Sequence, residues 1–135
     1  MKYEEIKVGD KAELSHKITF KDMINFMVMS GDKNKLHVDE DYVKDTEFKK
    51  PVVYGMLVAS FISAVIGNQL PGDGAVWMSQ SFRFLRPVYI GDTIAVKVEV
   101  FSKMDTDKTM VIQTTVYDQN KEIVVAGMGS VKALE

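Results

Sequence analysis

The run from Pro51 to Gly67, PVVYGMLVASFISAVIG, restricts this chain more than any other feature. Leu57, Val58, Phe61, Ile62, Val65 and Ile66 recur at helical spacing and cover most of a helix's circumference. A helix apolar nearly all round must be surrounded by other matter. Tyr54, Gly55, Ser60 and Ser63 interrupt the run, which is shorter than the roughly 20 residues a membrane-spanning helix needs. The expectation is therefore a buried core helix, and the rest of the chain must supply its cover.

That cover reads as strands. Thr93 to Phe101 alternates, with Ile94, Val96, Val98 and Val100 on one face and Lys97 and Glu99 on the other. Further strands are expected at 75–85, 110–117 and 122–131, the last two joined by the turn Asp118-Gln119-Asn120. Upstream, a strand is expected near 11–18. A helix succeeds it over about 20–29, where Thr19 stands three before Asp22 as a capping box and Gly31 provides the stop. Ser30 to Glu40 is polar and turn-rich, and reads as a loop ending in an N-cap at Asp39 for a short helix through Tyr42 and Val43. One strand, then helices, then a run of antiparallel strands is the α+β pattern. A sheet wrapped around the single apolar helix satisfies its burial, in one domain spanning 1–135.

Composition narrows the chemistry. The chain has no cysteine, which excludes disulfides, thiolate metal sites and cysteine nucleophiles. Seventeen basic against nineteen acidic side chains leave a net charge of −2, which removes the usual argument for nucleic-acid binding. Acids stand among the first seven residues, where a secretory signal needs an apolar run, so a cytoplasmic protein with no membrane partner is expected. Asp105 and Asp107 do not complete a calcium loop, and no metal site is expected.

Only two histidines are present. His16, in the first strand, reads as a surface or edge residue. His37 stands five residues after Asp32 with Asn34 between, and a carboxylate and an imidazole in one loop can hold a water and exchange protons with it. Equally, Asp32 and Asn34 make ordinary turn formers, and spacing alone favours that explanation. Gly55 opens the apolar helix, where first-turn amides lack partners and a carbonyl oxygen gaining charge finds donors; packing explains a small residue there as well. Ser60 and Ser63 most simply bond back to carbonyls of the preceding turn.

Taken together, SGDKNKLHVDE at 30–40, KKPVVYGMLVASFISAVIG at 49–67, LPGDG at 70–74 and QSFRFLRPVYIGDTI at 80–94 resemble the MaoC-like branch of the hot-dog fold, closest to the small (R)-specific enoyl-CoA hydratases. The resemblance runs from about Val8 to Val131. It implies an antiparallel sheet wrapped around the helix from about 54 to 67, with Asp32 and His37 as the catalytic pair. The Gly55 amide would bind the thioester oxygen. Asn34 would shape the loop and orient bound groups, and Ser63 would support the site as a hydrogen-bonding helper. The implied substrate is an acyl-CoA thioester, with coenzyme A part of the substrate, no separate cofactor, and a homodimer as the assembly. Lys35 stands where many relatives have proline, which would loosen the loop or bring positive charge to its mouth. Tyr54, a candidate supporting residue, stands where many have histidine. A hot-dog thioesterase, an acyl-carrier-protein dehydratase and a non-catalytic acyl-CoA-binding module are the alternatives. The absence of Asp or Glu from 55–67 argues against the first.

Overall fold

The computed structural model describes residues 1–135. After a single 3-10 turn at Tyr3–Glu5, the elements run β1 (Lys11–Lys17), α1 (Phe20–Ser30), α2 (Lys35–Val38), α3 (Glu40–Val43) and α4 (Gly55–Asn68). Strands β2 (Ala75–Gln80), β3 (Arg83–Phe84), β4 (Thr93–Met104), β5 (Thr109–Tyr117) and β6 (Ile123–Ala133) complete the chain. The six strands form one antiparallel sheet in the order β1-β4-β5-β6-β2, and β3 pairs with β6 further along the same edge.

The alternation in β4 sets the inner face. Ile94, Val96, Val98 and Val100 are buried, as are Met110, Ile112 and Val116 on β5 and Val124 and Val131 on β6. They close over Val58, Ile62, Val65 and Ile66 of α4, which touches β1, β2, β4 and β5. A sheet in contact with one helix through both its outer and its central strands is curved around that helix.

The structure departs from expectation at four places. The 75–85 strand is two: β2 carries a bulge between Trp77 and Ser79, and pairing resumes only at Arg83. Gln80 explains part of the break, because its side chain turns to donate to the Ser81 carbonyl and the Thr114 hydroxyl. The 30–40 segment is not wholly loop, since Asn34 caps the one-turn helix α2. His16 is not a plain surface residue: Nε2 lies 2.8 Å from the Asp22 carboxylate and its ring stacks on Phe61 at 4.3 Å. Finally, α4 is not surrounded on every side. Met56, Ser60, Ser63 and Gly67, spaced along one face of the helix, are exposed.

The two sheet edges differ. β1 turns Lys11, Glu13, Ser15 and Lys17 to solvent, a charged edge that resists strand addition. β2 turns out Val76 and Met78, and Phe84 and Leu85 extend this apolar surface.

Candidate active site

Gly31 ends α1 in the left-handed conformation (φ 77°), its amide donating to the Met27 carbonyl. The turn places Asp32 at the start of a tightly bonded loop. Ser30 Oγ donates to the Phe26 carbonyl and accepts from the Asp32 amide. Asp32 Oδ1 accepts from the Asn34 amide at 3.0 Å, and Asn34 Oδ1 accepts from the Leu36 amide at 3.0 Å, capping α2. These are the turn bonds that spacing suggested, and they hold in place the helix α2, which carries His37. One Asp32 carboxylate oxygen is left without a protein partner.

The chain then returns beside α2 before entering α4. The Val52 amide donates to the Leu36 carbonyl at 3.0 Å, and the Val52 carbonyl accepts from His37 Nδ1 at 2.6 Å. A carbonyl can only accept, so Nδ1 carries a proton and Nε2 is the nitrogen left for a ligand. The imidazole lies stacked on Tyr54 at 4.1 Å. Tyr54 is buried, its hydroxyl donates to the Asp32 carbonyl at 2.6 Å, and Phe26 packs on its ring. Burial, and then the nearby Asp32 charge, push the Tyr54 phenol upward, so it stays protonated and remains a donor.

Gly55 is the first residue of α4. No side chain caps this end, and the Gly55 amide donates to no acceptor in the protein. A Cβ at this position would lie 2.8 Å from two atoms of the Phe84 ring, so glycine is what lets Phe84 lie against the helix start.

Asp32, His37, Tyr54 and Gly55 line one cavity of about 710 Å³, walled by apolar side chains including Phe26, Phe84 and Val125, with Arg86 at its edge. Asp32 and His37 share it without bonding to each other. The arrangement offers a carboxylate oxygen, an imidazole Nε2 and an unpartnered helix-start amide to one small polar group in an otherwise apolar space. Such a set can move protons at one point and steady negative charge at another.

Two expected participants do not line the cavity. Asn34 is exposed and acts through the cap on α2. Ser63 is exposed, two turns beyond Gly55 on the open stripe of α4, and lines none of this cavity. Ser60 bonds back to the Leu57 carbonyl. Lys35 does not bring its charge to the cavity, because its ammonium sits over the Tyr42 ring. The Val52 carbonyl and Phe84 shape the site without having been singled out; a backbone acceptor leaves no mark in sequence, and Phe84 reads as one more strand residue.

The fold and cavity define a hot-dog domain with a carboxylate and an imidazole set beside the open start of its central helix. Residues 4–122 match the MaoC-like domain, and the chain belongs to that family. It is 41% identical over 129 residues to an (R)-specific enoyl-CoA hydratase of Rhodospirillum rubrum, covering 96% of this chain and 89% of that one. It is 35% identical over 132 residues to the (R)-specific enoyl-CoA hydratase of Aeromonas caviae, covering 98% of each. The unliganded R-hydratase from Pseudomonas aeruginosa superposes with a TM-score of 0.92 at 38% identity, over 99% of this chain and 86% of that one.

Proposed function

We propose that the protein is an (R)-specific enoyl-CoA hydratase of the cytoplasm, adding water reversibly to a trans-2-enoyl-CoA to give an (R)-3-hydroxyacyl-CoA. The observation that carries this reading is the single cavity shared by Asp32, His37 and the unpartnered Gly55 amide. Near-full-length similarity to hydratases supports it.

In this mechanism the thioester carbonyl draws electrons from the double bond and makes C3 electrophilic. A water lies between the free Asp32 carboxylate oxygen and His37. Its oxygen bonds to C3 as its proton passes to Asp32, and protonated His37 delivers a proton from Nε2 to C2. The Val52 carbonyl stabilises that imidazolium by accepting from Nδ1. Between the two events, charge gathers on the thioester oxygen, where the Gly55 amide meets it. One such donor is worth roughly 10²–10³ in rate. The proton gained by Asp32 and lost by His37 is re-equilibrated through water. The balance closes with groups of this chain, so the reaction calls for no metal or separate cofactor. Arg86, at the cavity edge, is suited to an anionic part of coenzyme A.

The same reading makes the protein a homodimer joined at the β2 edge. Its support is the contrast between that edge, where Val76, Met78, Phe84 and Leu85 are exposed, and the charged edge at β1. The open α4 stripe lies on the uncovered side of the helix. No helix is long and apolar enough to cross a membrane.

The test is to add protein to crotonyl-CoA and monitor loss of the conjugated thioester's ultraviolet absorbance, then determine the configuration of the product. The expected result is absorbance loss without thiol release, and an (R) alcohol. An (S) product, free thiol, or binding without turnover would each overturn the assignment.

A further inference from the structure

Residues 30–34 carry the catalytic carboxylate on a loop whose other hydrogen bonds are all local. They run to Phe26, Met27, Ser30, Asp32, Asn34, Leu36 and His37 and to nothing beyond. One bond reaches outside: the Tyr54 hydroxyl to the Asp32 carbonyl, across 22 residues of sequence. The same side chain stacks on the His37 ring, which Val52 already holds at Nδ1. Tyr54 itself is 2% exposed, is packed by Phe26, and directly precedes Gly55. A single buried ring thus touches the mounts of the carboxylate, the imidazole and the amide.

We propose that Tyr54 is a positioning residue, which fixes the distance between Asp32 and His37 by bonding the backbone of one and stacking on the ring of the other. The proposal rests on the hydratase reading and adds to it the residue that sets the geometry of its proton-transfer pair. Its hydroxyl points at a backbone carbonyl, so Tyr54 neither takes nor gives a proton in the reaction. Its contribution is to orientation. A displacement of about 1 Å in a catalytic group costs on the order of 100-fold in rate, which is the scale this tie protects.

Tyr54→Phe isolates the hydroxyl, because it keeps the buried ring, the His37 stack and the Phe26 contact. We expect kcat and kcat/KM on crotonyl-CoA to fall together by about 10- to 100-fold, with KM unchanged, the pattern of a loss felt only in the transition state. Amide exchange at Asp32 and Asn34 should quicken while α4 amides keep their protection. Tyr54→Leu removes the stack as well, and should also move the His37 ring-proton resonances downfield. With only two histidines, these are assigned from the spectrum of His37→Gln. An active wild type whose Tyr54→Phe variant has unchanged kcat overturns the proposal and leaves the hydratase reading standing. A wild type without turnover defeats the hydratase reading, and the exchange at Asp32 then decides the tie alone: unchanged exchange in Tyr54→Phe overturns it. If that variant does not fold, His37 ring protons in the wild type decide, since resonances free of an aromatic ring-current shift overturn the stack.

Discussion

Gly55→Pro removes one hydrogen atom's worth of function from a position where the backbone already suits proline. Gly55 is the first helical residue, where proline is favoured because its missing N–H would be unpaired anyway. The residue before proline must avoid the right-handed helical region, and Tyr54 does, at φ −54° and ψ 127°. The Gly55 amide donates to nothing in the protein, so no structural bond is lost. Replacing glycine by proline at a compatible site stabilises by about 0.4–1 kcal/mol through the unfolded state. Against this, the new Cβ would sit 2.8 Å from the Phe84 ring, which must move by a few tenths of an ångström or more; that ring is 53% exposed in the single chain and lies on the edge assigned to the dimer, so the shift is taken up at that edge. The two effects oppose, and net stability should stay within about 1 kcal/mol of the wild type. Gly55→Ala is the control, since it brings the same Cβ and the same push on Phe84 but keeps the amide hydrogen. If that hydrogen steadies the thioester oxygen, the proline variant should turn over crotonyl-CoA roughly 10²–10³ more slowly than the alanine variant, about 2.7–4 kcal/mol of transition-state stabilisation. Equal rates in the two variants, with both folded by circular dichroism, would refute the role given to this amide.

The fold carries three further expected outcomes. Lys35 is the first residue of α2, its amide has no backbone acceptor, and Asn34 before it lies outside the right-handed helical region (φ −55°, ψ 129°); Lys35→Pro should therefore raise stability by about 0.4–1 kcal/mol in chemical denaturation and leave turnover intact. Burial alone would raise the Asp22 carboxyl, but hydrogen bonds from His16 and Thr19 outweigh it and hold the group below its ordinary value of 3.8. A depressed folded-state value means stability that is present above the unfolded value and lost as pH falls through the folded one. The difference in melting temperature between wild type and Asp22→Asn should thus be full at neutral pH and shrink once the pH drops below 3.8. Ile62→Ala, at a site with no exposure on the face of α4 under the sheet, should cost about 2–5 kcal/mol in urea unfolding without changing product configuration.

The core was legible because its signals are periodic. The β4 alternation placed Ile94 to Val100 on the buried face; the apolar run from Pro51 showed that α4 is a core helix, and the family resemblance set its bounds, about 54 to 67, to within a residue at each end. The α1 boundaries were written as chemistry, with the Thr19 and Asp22 capping box present and Gly31 left-handed as expected. What escaped had no periodic mark. α2 is four residues long, too short to show a helical repeat, and exists because Asn34 caps it and Val52 ties it down. The interruption between β2 and β3 comes from a bulge and from Gln80 bonding across to Thr114, a partner 34 residues away. The open stripe of Met56, Ser60, Ser63 and Gly67 is visible in composition only after one knows which face the sheet covers. At the site, spacing alone favoured turn formers and packing for Asp32, His37 and Gly55; the joint pattern resembling the MaoC-like family singled them out, and all three line one cavity. The stack of His37 on Tyr54 and the Nδ1 bond to Val52 were not, because both depend on how residues 49–54 return past α2.

The most direct measurement is hydration of crotonyl-CoA by wild type, Asp32→Asn and His37→Gln at equal concentration, each checked for folding. Both substitutions preserve side-chain size while removing the capacity for proton transfer, and positioned proton transfer is worth about 10²–10⁴ in rate. Losses of that order are expected in each variant against an active wild type. Near wild-type turnover in both would show that the cavity shared by these two side chains is not where water is added.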